Sequence, residues 1–193
     1  MKKAMDKESL LSLCDKIINK DDQVKIATLS DELTISQVVK FFDRQNRNFT
    51  KTMIQNYVRV GLLPPPFEKR YYTKNHLILL ALIDNLKEIY TLEEIKAVLQ
   101  PIRNNPEIFE DDIIKVSDIY NNYLAMRKES LNTWKKLLPD LFDNMEILLK
   151  KDGITGDEIN KASAFMIALT IMANTVAMKD LIREIINEYI QEN

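Results

Sequence analysis

Apolar residues recur every three or four positions along most of this chain, whereas the alternation typical of β-strands is almost absent. The first run covers residues 6–19 and is followed by a charged stretch, residues 20–25. Cys14 lies on the apolar side of that run, where we expect it to pack rather than to react. The pattern predicts a chain that is all-α, or at least mainly helical.

Two short helices separated by a polar segment are predicted between residues 34 and 61. Thr34 can cap the first helix, and the polar string 43–48 follows it as a turn. The second helix begins at Thr50 or Lys51, and Gly61 is placed to take the left-handed conformation that often follows a helix. Its apolar positions Ile54, Tyr57 and Val58 are expected to face the core, while Thr52, Gln55, Asn56 and Arg59 face outward.

An extended segment and a short wing are expected after that second helix. Three consecutive prolines, residues 64–66, cannot continue a helix, and Tyr71 and Tyr72 would form the second limb of a small β wing. Thr73 then caps a helix that runs to about residue 90, and the capping box at residues 91–94 opens another that ends near residue 100. The order of elements predicts a winged helix-turn-helix.

Long helices are predicted beyond a boundary at residues 101–106. One spans residues 117–138, and Pro139 either kinks it or starts a new turn. Thr155 and Glu158 form a capping box that opens a last helix of more than thirty residues. We therefore divide the chain into an N-terminal accessory helix and linker, a winged helix-turn-helix domain, a linker and a C-terminal helical domain: residues 1–33, 34–100, 101–112 and 113–193.

The last helix contains seventeen uncharged residues, 162–178, between Lys161 and Lys179. This stretch is slightly short to cross a bilayer and carries several polar side chains. We expect it to be a buried helix and expect no membrane association.

Composition narrows the classes of chemistry. The chain has 193 residues, of which 46% are hydrophobic and 29% charged, and this is enough for a folded core. Three glycines cannot form the phosphate-binding loops of nucleotide sites, and one cysteine with one histidine cannot hold a structural zinc. We expect no cofactor, no metal and no enzymatic activity, since the carboxylates are scattered without a nucleophile motif. The lone cysteine and the start Met1, Lys2, Lys3 point to the cytoplasm.

Positive charge is concentrated in one region. Residues 40–74 contain eight basic and two acidic side chains, a local charge of +6, whereas the chain as a whole carries −2 and the remainder therefore −8. Such asymmetry is typical of a regulator whose binding face alone attracts phosphate, although clustering on an ordinary solvated surface would look the same.

Three motifs in this region resemble the MerR-type winged helix. They are residues 57–63, Tyr-Val-Arg-Val-Gly-Leu-Leu; the wing signature at residues 70–73, Arg-Tyr-Tyr-Thr; and residues 91–96, Thr-Leu-Glu-Glu-Ile-Lys. A closer resemblance is to a bacterial group of MerR-like proteins catalogued as a domain of unknown function. Its Thr-x-x-Ile-Gln-Asn-(Trp/Tyr)-Val segment is matched from Thr50 or Thr52 to Val58, and its Pro-x-x-Lys-(Lys/Arg)-Tyr segment is matched at residues 66–71. The resemblance covers roughly residues 33–124.

The resemblance implies a winged helix that binds double-stranded DNA. Gln55 and Asn56 stand where the family has an Arg-Tyr pair, and the metal-sensing cysteines of some MerR proteins have no counterpart. Glutamine and asparagine can pair with adenine, and arginine with guanine or phosphate. We expect Thr52, Gln55, Asn56 and Arg59 to reach bases, and Arg47, Lys51, Lys69 and Arg70 to contact phosphates.

Several points stay open at the level of sequence. The alternative for Gln55 and Asn56 is that they are ordinary surface residues, and the alternative for the basic fold is an interaction module for an acidic protein partner. His76, next to a helix cap, is given a phosphate or surface role. We expect a homodimer formed through the C-terminal helices. Aromatic and methionine residues there either form the core or line a pocket for a small-molecule effector: Tyr120, Tyr123, Trp134, Phe142, Phe165, Met166 and Met172.

Overall fold

The computed structural model of the protein describes residues 5–20, 23–26 and 29–190. The helices are α1 (Lys7–Ile18), α2 (Ile35–Asp43), α3 (Lys51–Arg59), α4 (Lys74–Leu86), α5 (Leu92–Leu99), α6 (Val116–Lys151) and α7 (Asp157–Ile185). A 3-10 turn (Gln100–Ile102) follows α5, and a π-helical segment (Ile186–Ile190) continues α7. The prediction of a mainly helical chain is confirmed. Met1, Lys2 and Lys3 and part of the predicted charged stretch 20–25 lie outside the described residues.

The predicted starts of α3 and α5 coincide with side-chain caps, and α1 begins with one as well, whereas α7 begins at Asp157, two residues after the predicted cap Thr155. The Asp6 carboxylate accepts the Ser9 backbone N–H at 2.7 Å at the start of α1, and the Thr50 hydroxyl accepts that of Met53 at 3.1 Å at the start of α3. At α5, Thr91 Oγ1 accepts the Glu94 N–H at 3.2 Å while the Glu94 carboxylate accepts the Thr91 N–H at 2.8 Å. These bonds satisfy backbone donors that have no partner inside the helix, and so they fix where each helix begins.

The chain divides into two compact units. One comprises residues 1–22 and 124–184, and the other comprises residues 23–123 and 185–193. In the first unit, Leu10 and Cys14 of α1, Leu138 and Phe142 of α6 and Ile167 of α7 form a buried cluster. Burial raises the pKa of the Cys14 thiol, in keeping with a packing role. The functional division proposed at residues 34–100 and 113–193 stays a prediction.

Helix α4 is the centre of the second unit. Every residue from 76 to 83 is buried, so the helix is covered on all sides. Buried side chains from the neighbouring helices complete this core: Val38 and Phe42 of α2, Ile54 and Tyr57 of α3, and Ile95 and Leu99 of α5. The faces assigned to Ile54 and Tyr57 from the sequence are therefore confirmed.

Strands do not form in the described parts of the chain. Tyr71 and Tyr72, the expected second limb of the β wing, form only isolated antiparallel bridges, Tyr72 with Leu33 and Tyr71 with Phe67. Further along, α6 runs through Pro139 without ending, so Pro139 does not begin a new helix.

Helix α7 is not the buried helix that its composition predicts. Residues 171–178 are all exposed, and Phe165 and Met172 are 63% and 64% exposed. The expectation of a buried helix is wrong for the single chain. Residues 158–190 are long and apolar enough to cross a membrane by length and composition, criteria that core helices of soluble proteins also meet, but only 6% of the most apolar window is buried here. Of the aromatic residues offered for an effector pocket, Tyr120 and Phe142 are buried.

Candidate nucleic-acid interface

Helix α3 presents one polar side outward and one apolar side to the core. Ile54 and Tyr57 are 0% and 4% exposed. The opposite side exposes Lys51, Thr52, Gln55 and Arg59, which we call the α3 face. The sequence placed Thr52, Gln55 and Arg59 outward together with Asn56, and it placed Lys51 at the start of the helix. The structure exposes Lys51, Thr52, Gln55 and Arg59 on one side of α3.

Asn56 lies at the edge of the α3 face and is half-buried. Its Oδ1 accepts a hydrogen bond of 2.6 Å from Nη2 of Arg59. An asparagine that pairs with adenine uses both its carbonyl oxygen and its amide group. Because the oxygen is bonded to Arg59, Asn56 and Arg59 act as a coupled pair in this state, and Gln55 is the more available amide.

The C-terminal end of α3 is locked by backbone geometry. Gly61 has a φ of +72°. Its N–H donates to the Val58 carbonyl at 3.0 Å, and the Leu62 N–H donates to the Tyr57 carbonyl at 2.9 Å. This pair of bonds is the Schellman arrangement, which favours glycine at the left-handed position. Lys96 of α5 donates to the carbonyl of Val60 at 2.8 Å. The direction in which the α3 face points is therefore fixed from outside α3 as well.

Arg47 is placed differently from the other predicted contacts. Its Nη1 lies 2.9 Å from Oδ2 of Asp84 on α4, and Nζ of Lys87 lies 2.7 Å from Oδ1 of the same carboxylate. The Arg47 and Asp84 side chains are only 13% and 16% exposed. Arg47 thus ties the turn between α2 and α3 to α4 and is not part of the exposed α3 face.

Lys69 and Arg70 lie on a tight turn, residues 67–71. Phe67 and Tyr71 exchange two backbone hydrogen bonds of 2.8 Å, and the Arg70 N–H donates to the Phe67 carbonyl at 3.0 Å. Glu68 and Lys69 both adopt a positive φ, +51° and +59°, which residues other than glycine rarely do. The turn therefore carries strain and holds two exposed cations at its tip.

His76 is buried, so the surface or phosphate role assigned to it is wrong. It is 3% exposed, its Nδ1 accepts the Thr73 N–H at 3.0 Å, and its Nε2 lies 3.3 Å from the carbonyl oxygen of Pro65. This geometry fits the neutral tautomer with the proton on Nε2. Burial lowers the pKa of His76 from 6.5 to about 4. The histidine fastens the proline segment to the start of α4.

Sequence reasoning missed the residues that organise this region from a distance. Asp84 and Lys96 are examples, and so is Arg103, whose guanidinium donates to the carbonyls of Leu62 at 3.3 Å and Pro106 at 2.8 Å. Lys96 belongs to the motif at residues 91–96, but nothing in that motif indicates its bond to Val60, and no local pattern marks Asp84 or Arg103. Among the residues that the structure describes, no group of three His, Cys, Asp or Glu side chains could hold a metal ion.

One family model matches the chain, over residues 23–123, which are 101 of its 193 residues. That model is described as a Domain of unknown function (DUF1836). The expectation of such a domain over roughly residues 33–124 is confirmed, while the finer likeness to MerR proteins stays a prediction. No curated protein and no solved structure matches.

Proposed function

This chain belongs to the family described as Domain of unknown function (DUF1836), and we propose that it is a transcription regulator that binds double-stranded DNA. Helices α2 and α3 serve as a helix-turn-helix, the tight turn 67–71 serves as its wing, and the chain acts as a dimer through its C-terminal helices. The observation that supports the proposal is the α3 face: four exposed side chains of types that can contact phosphates or bases, on a helix whose other side is buried.

Base reading is assigned to the middle and end of α3. Gln55 is exposed and can pair with adenine through both the oxygen and the nitrogen of its side-chain amide. Arg59 reaches guanine or phosphate, and its departure from Asn56 frees the Asn56 oxygen for a base. Thr52 adds a hydroxyl and a methyl group on the same side. The Arg59 to Asn56 bond therefore holds the guanidinium on the reading face until DNA replaces it.

Phosphate contact is assigned to Lys51, Lys69 and Arg70, which are exposed at the start of α3 and on the tight turn. Such contacts position a protein without reading sequence. Arg47, which we expected among them, is given a positioning role because its guanidinium is paired with Asp84. Breaking that pair would release the turn before α3 and leave a largely buried carboxylate beside Lys87 alone.

The test is fluorescence anisotropy of the full chain with a mixed-sequence duplex at increasing salt concentration. Affinity should fall as salt rises, because bound phosphates release counterions. The variant with both Lys69→Ala and Arg70→Ala should lower the salt slope by about 2, about one per phosphate contact. Lys136→Ala, an exposed lysine on α6, is the matched control and should leave the slope unchanged. Absence of binding at low salt would overturn the proposal.

Sequence preference is tested by selection from a pool of randomised duplexes. Gln55→Ala with Asn56→Ala should broaden the selected sequences, whereas Lys69→Ala should weaken all sequences alike. Equal behaviour of the two variants would refute the division of roles. Binding of an acidic protein through the α3 face, with no affinity for DNA, would favour the rival interpretation of a protein-interaction module.

A further inference from the structure

Helix α7 carries an apolar stripe on the side that faces away from the core of its own unit. The buried residues of α7 in that unit are Ser163 and Ile167. Phe165, Leu169, Met172 and Val176 follow one another at intervals of four, three and four residues. At 100° per residue these four lie within a narrow band on the opposite side of the helix from Ile167.

Those four side chains are all exposed, from 45% for Leu169 to 64% for Met172. Each of them leaves in water apolar surface whose burial against a partner would be favourable. A contiguous exposed stripe of this kind marks an interaction surface rather than chance exposure. The heptad spacing is that of a seam between two helices.

The charges at the two ends of the stripe identify the partner. The same spacing continues to Glu158, before Phe165 at one end of the stripe, and to Arg183, after Val176 at the other end. Both side chains are exposed. When a second α7 is laid antiparallel about the point between residues 170 and 171, Glu158 of each copy faces Arg183 of the other. In the same register Phe165 faces Val176 and Leu169 faces Met172, while Ala162 faces the aliphatic stem of Lys179.

A parallel arrangement of two α7 helices lacks this complementarity. Glu158 would then face Glu158 and Arg183 would face Arg183, and like charges placed opposite each other are destabilising. The antiparallel arrangement is self-complementary, as a two-fold interface between identical chains requires. The facing length, residues 158–183, is roughly 38 Å at 1.5 Å per residue.

We propose that the stripe formed by Phe165, Leu169, Met172 and Val176 of α7 binds the same stripe of a second copy of this chain in antiparallel orientation, closed at both ends by Glu158 and Arg183. This contact specifies the dimer that the proposed function includes. It rests on dimerisation through the C-terminal helices and does not depend on DNA binding. Asp180 lies 3.6 Å from Arg183 within one helix, at side chains that are half-exposed or more, and such an exposed pair contributes little to stability.

The first test is sedimentation velocity of the full chain without DNA. The wild-type chain should sediment as a dimer at micromolar concentrations. Leu169→Glu should weaken self-association by at least about 100-fold, because two carboxylates enter an apolar seam at once. Met126→Glu on α6 is the matched control, since Met126 is 69% exposed and lies off the stripe, and this variant should stay dimeric. A monomeric wild-type chain, or a Met126→Glu variant as monomeric as Leu169→Glu, would overturn the proposal.

The second test fixes the orientation by charge exchange. Glu158→Arg and Arg183→Glu should each weaken the dimer about tenfold, because each creates two like-charge contacts. The double variant should restore wild-type affinity. A parallel dimer would show no rescue, and that result would refute the antiparallel register.

A membrane is the competing occupant of the stripe, and vesicle flotation tests it. The wild-type chain should not float with phosphatidylcholine vesicles. Flotation that Leu169→Glu abolishes would replace the dimer by membrane insertion. DNA is absent from all three measurements, so failure of the dimer and failure of DNA binding by the α3 face are observed separately.

Discussion

Helices α4 and α7 look alike in sequence and differ completely in environment. Each contains a long run without a charged side chain, residues 75–83 in α4 and 162–178 in α7. Residues 76–83 of α4 are all buried, whereas residues 171–178 of α7 are all exposed. A helix that is apolar on all sides needs a covering partner, but its own sequence does not identify that partner. For α4 the covering is the rest of its own unit, and for α7 we propose a second chain.

The two helices also differ in the partners of their side-chain hydrogen bonds. Helix α4 begins at Thr73, whose backbone N–H donates to the buried His76 ring, and that ring contacts the proline segment. In α7 the Thr170 and Thr175 hydroxyls donate to carbonyls four residues earlier in the same helix. The polar bonds of α4 therefore connect it to other segments, while these bonds of α7 are internal. Substitutions at the buried positions of α4 should report on folding, and substitutions on the exposed stripe of α7 should report on association.

Leu80→Ala should give the largest loss. Leu80 is 0% exposed, so its truncation removes buried surface and leaves a cavity, and we expect about 2–5 kcal/mol less free energy of unfolding. Leu181→Ala in α7, where the leucine is 52% exposed and off the stripe, should change it by less than about 0.5 kcal/mol. Urea unfolding followed by circular dichroism measures both. Equal losses would show that α7 is packed as α4 is.

Acidification should destabilise the unit built around α4 through His76. Its pKa is lowered from 6.5 to about 4 in the fold, so the unfolded chain binds the extra proton first. The stabilisation is complete above pH 6.5 and is lost as the pH falls from 6.5 to 4, by roughly 3 kcal/mol at 1.36 kcal/mol per pKa unit.

The comparison variant for that measurement is His76→Gln, which can still accept the Thr73 N–H but does not titrate. The free energies of unfolding of the two proteins should converge as the pH falls from 6.5 to 4. A constant difference across this range would contradict a buried neutral histidine.

Removal of the α4 cap should have an intermediate effect. Thr73→Ala deletes the hydroxyl of the N-cap residue, which lies 2.9 Å from Nδ1 of His76, and should lower the free energy of unfolding by about 1 kcal/mol. Thr73→Ser keeps the hydroxyl and should lose much less. Thr175→Ala removes a mid-helix hydroxyl in α7 and should change stability little. Thermal unfolding of the three variants separates the capping effect from the loss of a methyl group.

The smallest expected effect distinguishes two leucines of α7. In dilute solution Leu169→Ala and Leu181→Ala should each alter the free energy of unfolding by less than about 0.5 kcal/mol, as exposed residues do. At higher protein concentration only Leu169→Ala should fall behind the wild-type chain, because dimerisation stabilises the folded state by mass action. Thermal unfolding over a range of concentrations measures the divergence. Identical curves for both variants would remove Leu169 from the interface.

The helix positions and caps were largely predictable because their signals are local. Thr91 and Glu94, or Thr50 before α3, act within one turn, so the residues that cause a helix to begin are adjacent in sequence. The outward side of α3 followed from helical spacing in the same way. The candidate interface was predictable to that extent, and its chemistry as DNA recognition remains the proposal.

Interactions between distant residues were not predictable. Arg47 and Asp84 are 37 positions apart, and nothing near either residue indicates the pair. The burial of His76 depends on Pro65 and on Phe109, whose ring centre lies 4.9 Å from that of the imidazole. Counting charges along residues 40–74 could not show that one of the eight basic residues, Arg47, is paired with the largely buried carboxylate of Asp84.

The mainly helical character of the chain, the starts of most helices and the polar side of α3 can all be read from neighbouring residues, because periodicity and capping act over a few positions. The inward placement of Arg47 and His76, and the exposure of α7 while α4 is covered, depend on long-range packing. The reason is that burial depends on which surfaces the chain brings together, and an apolar helix has the same local pattern whether its partner lies in the same chain or in another.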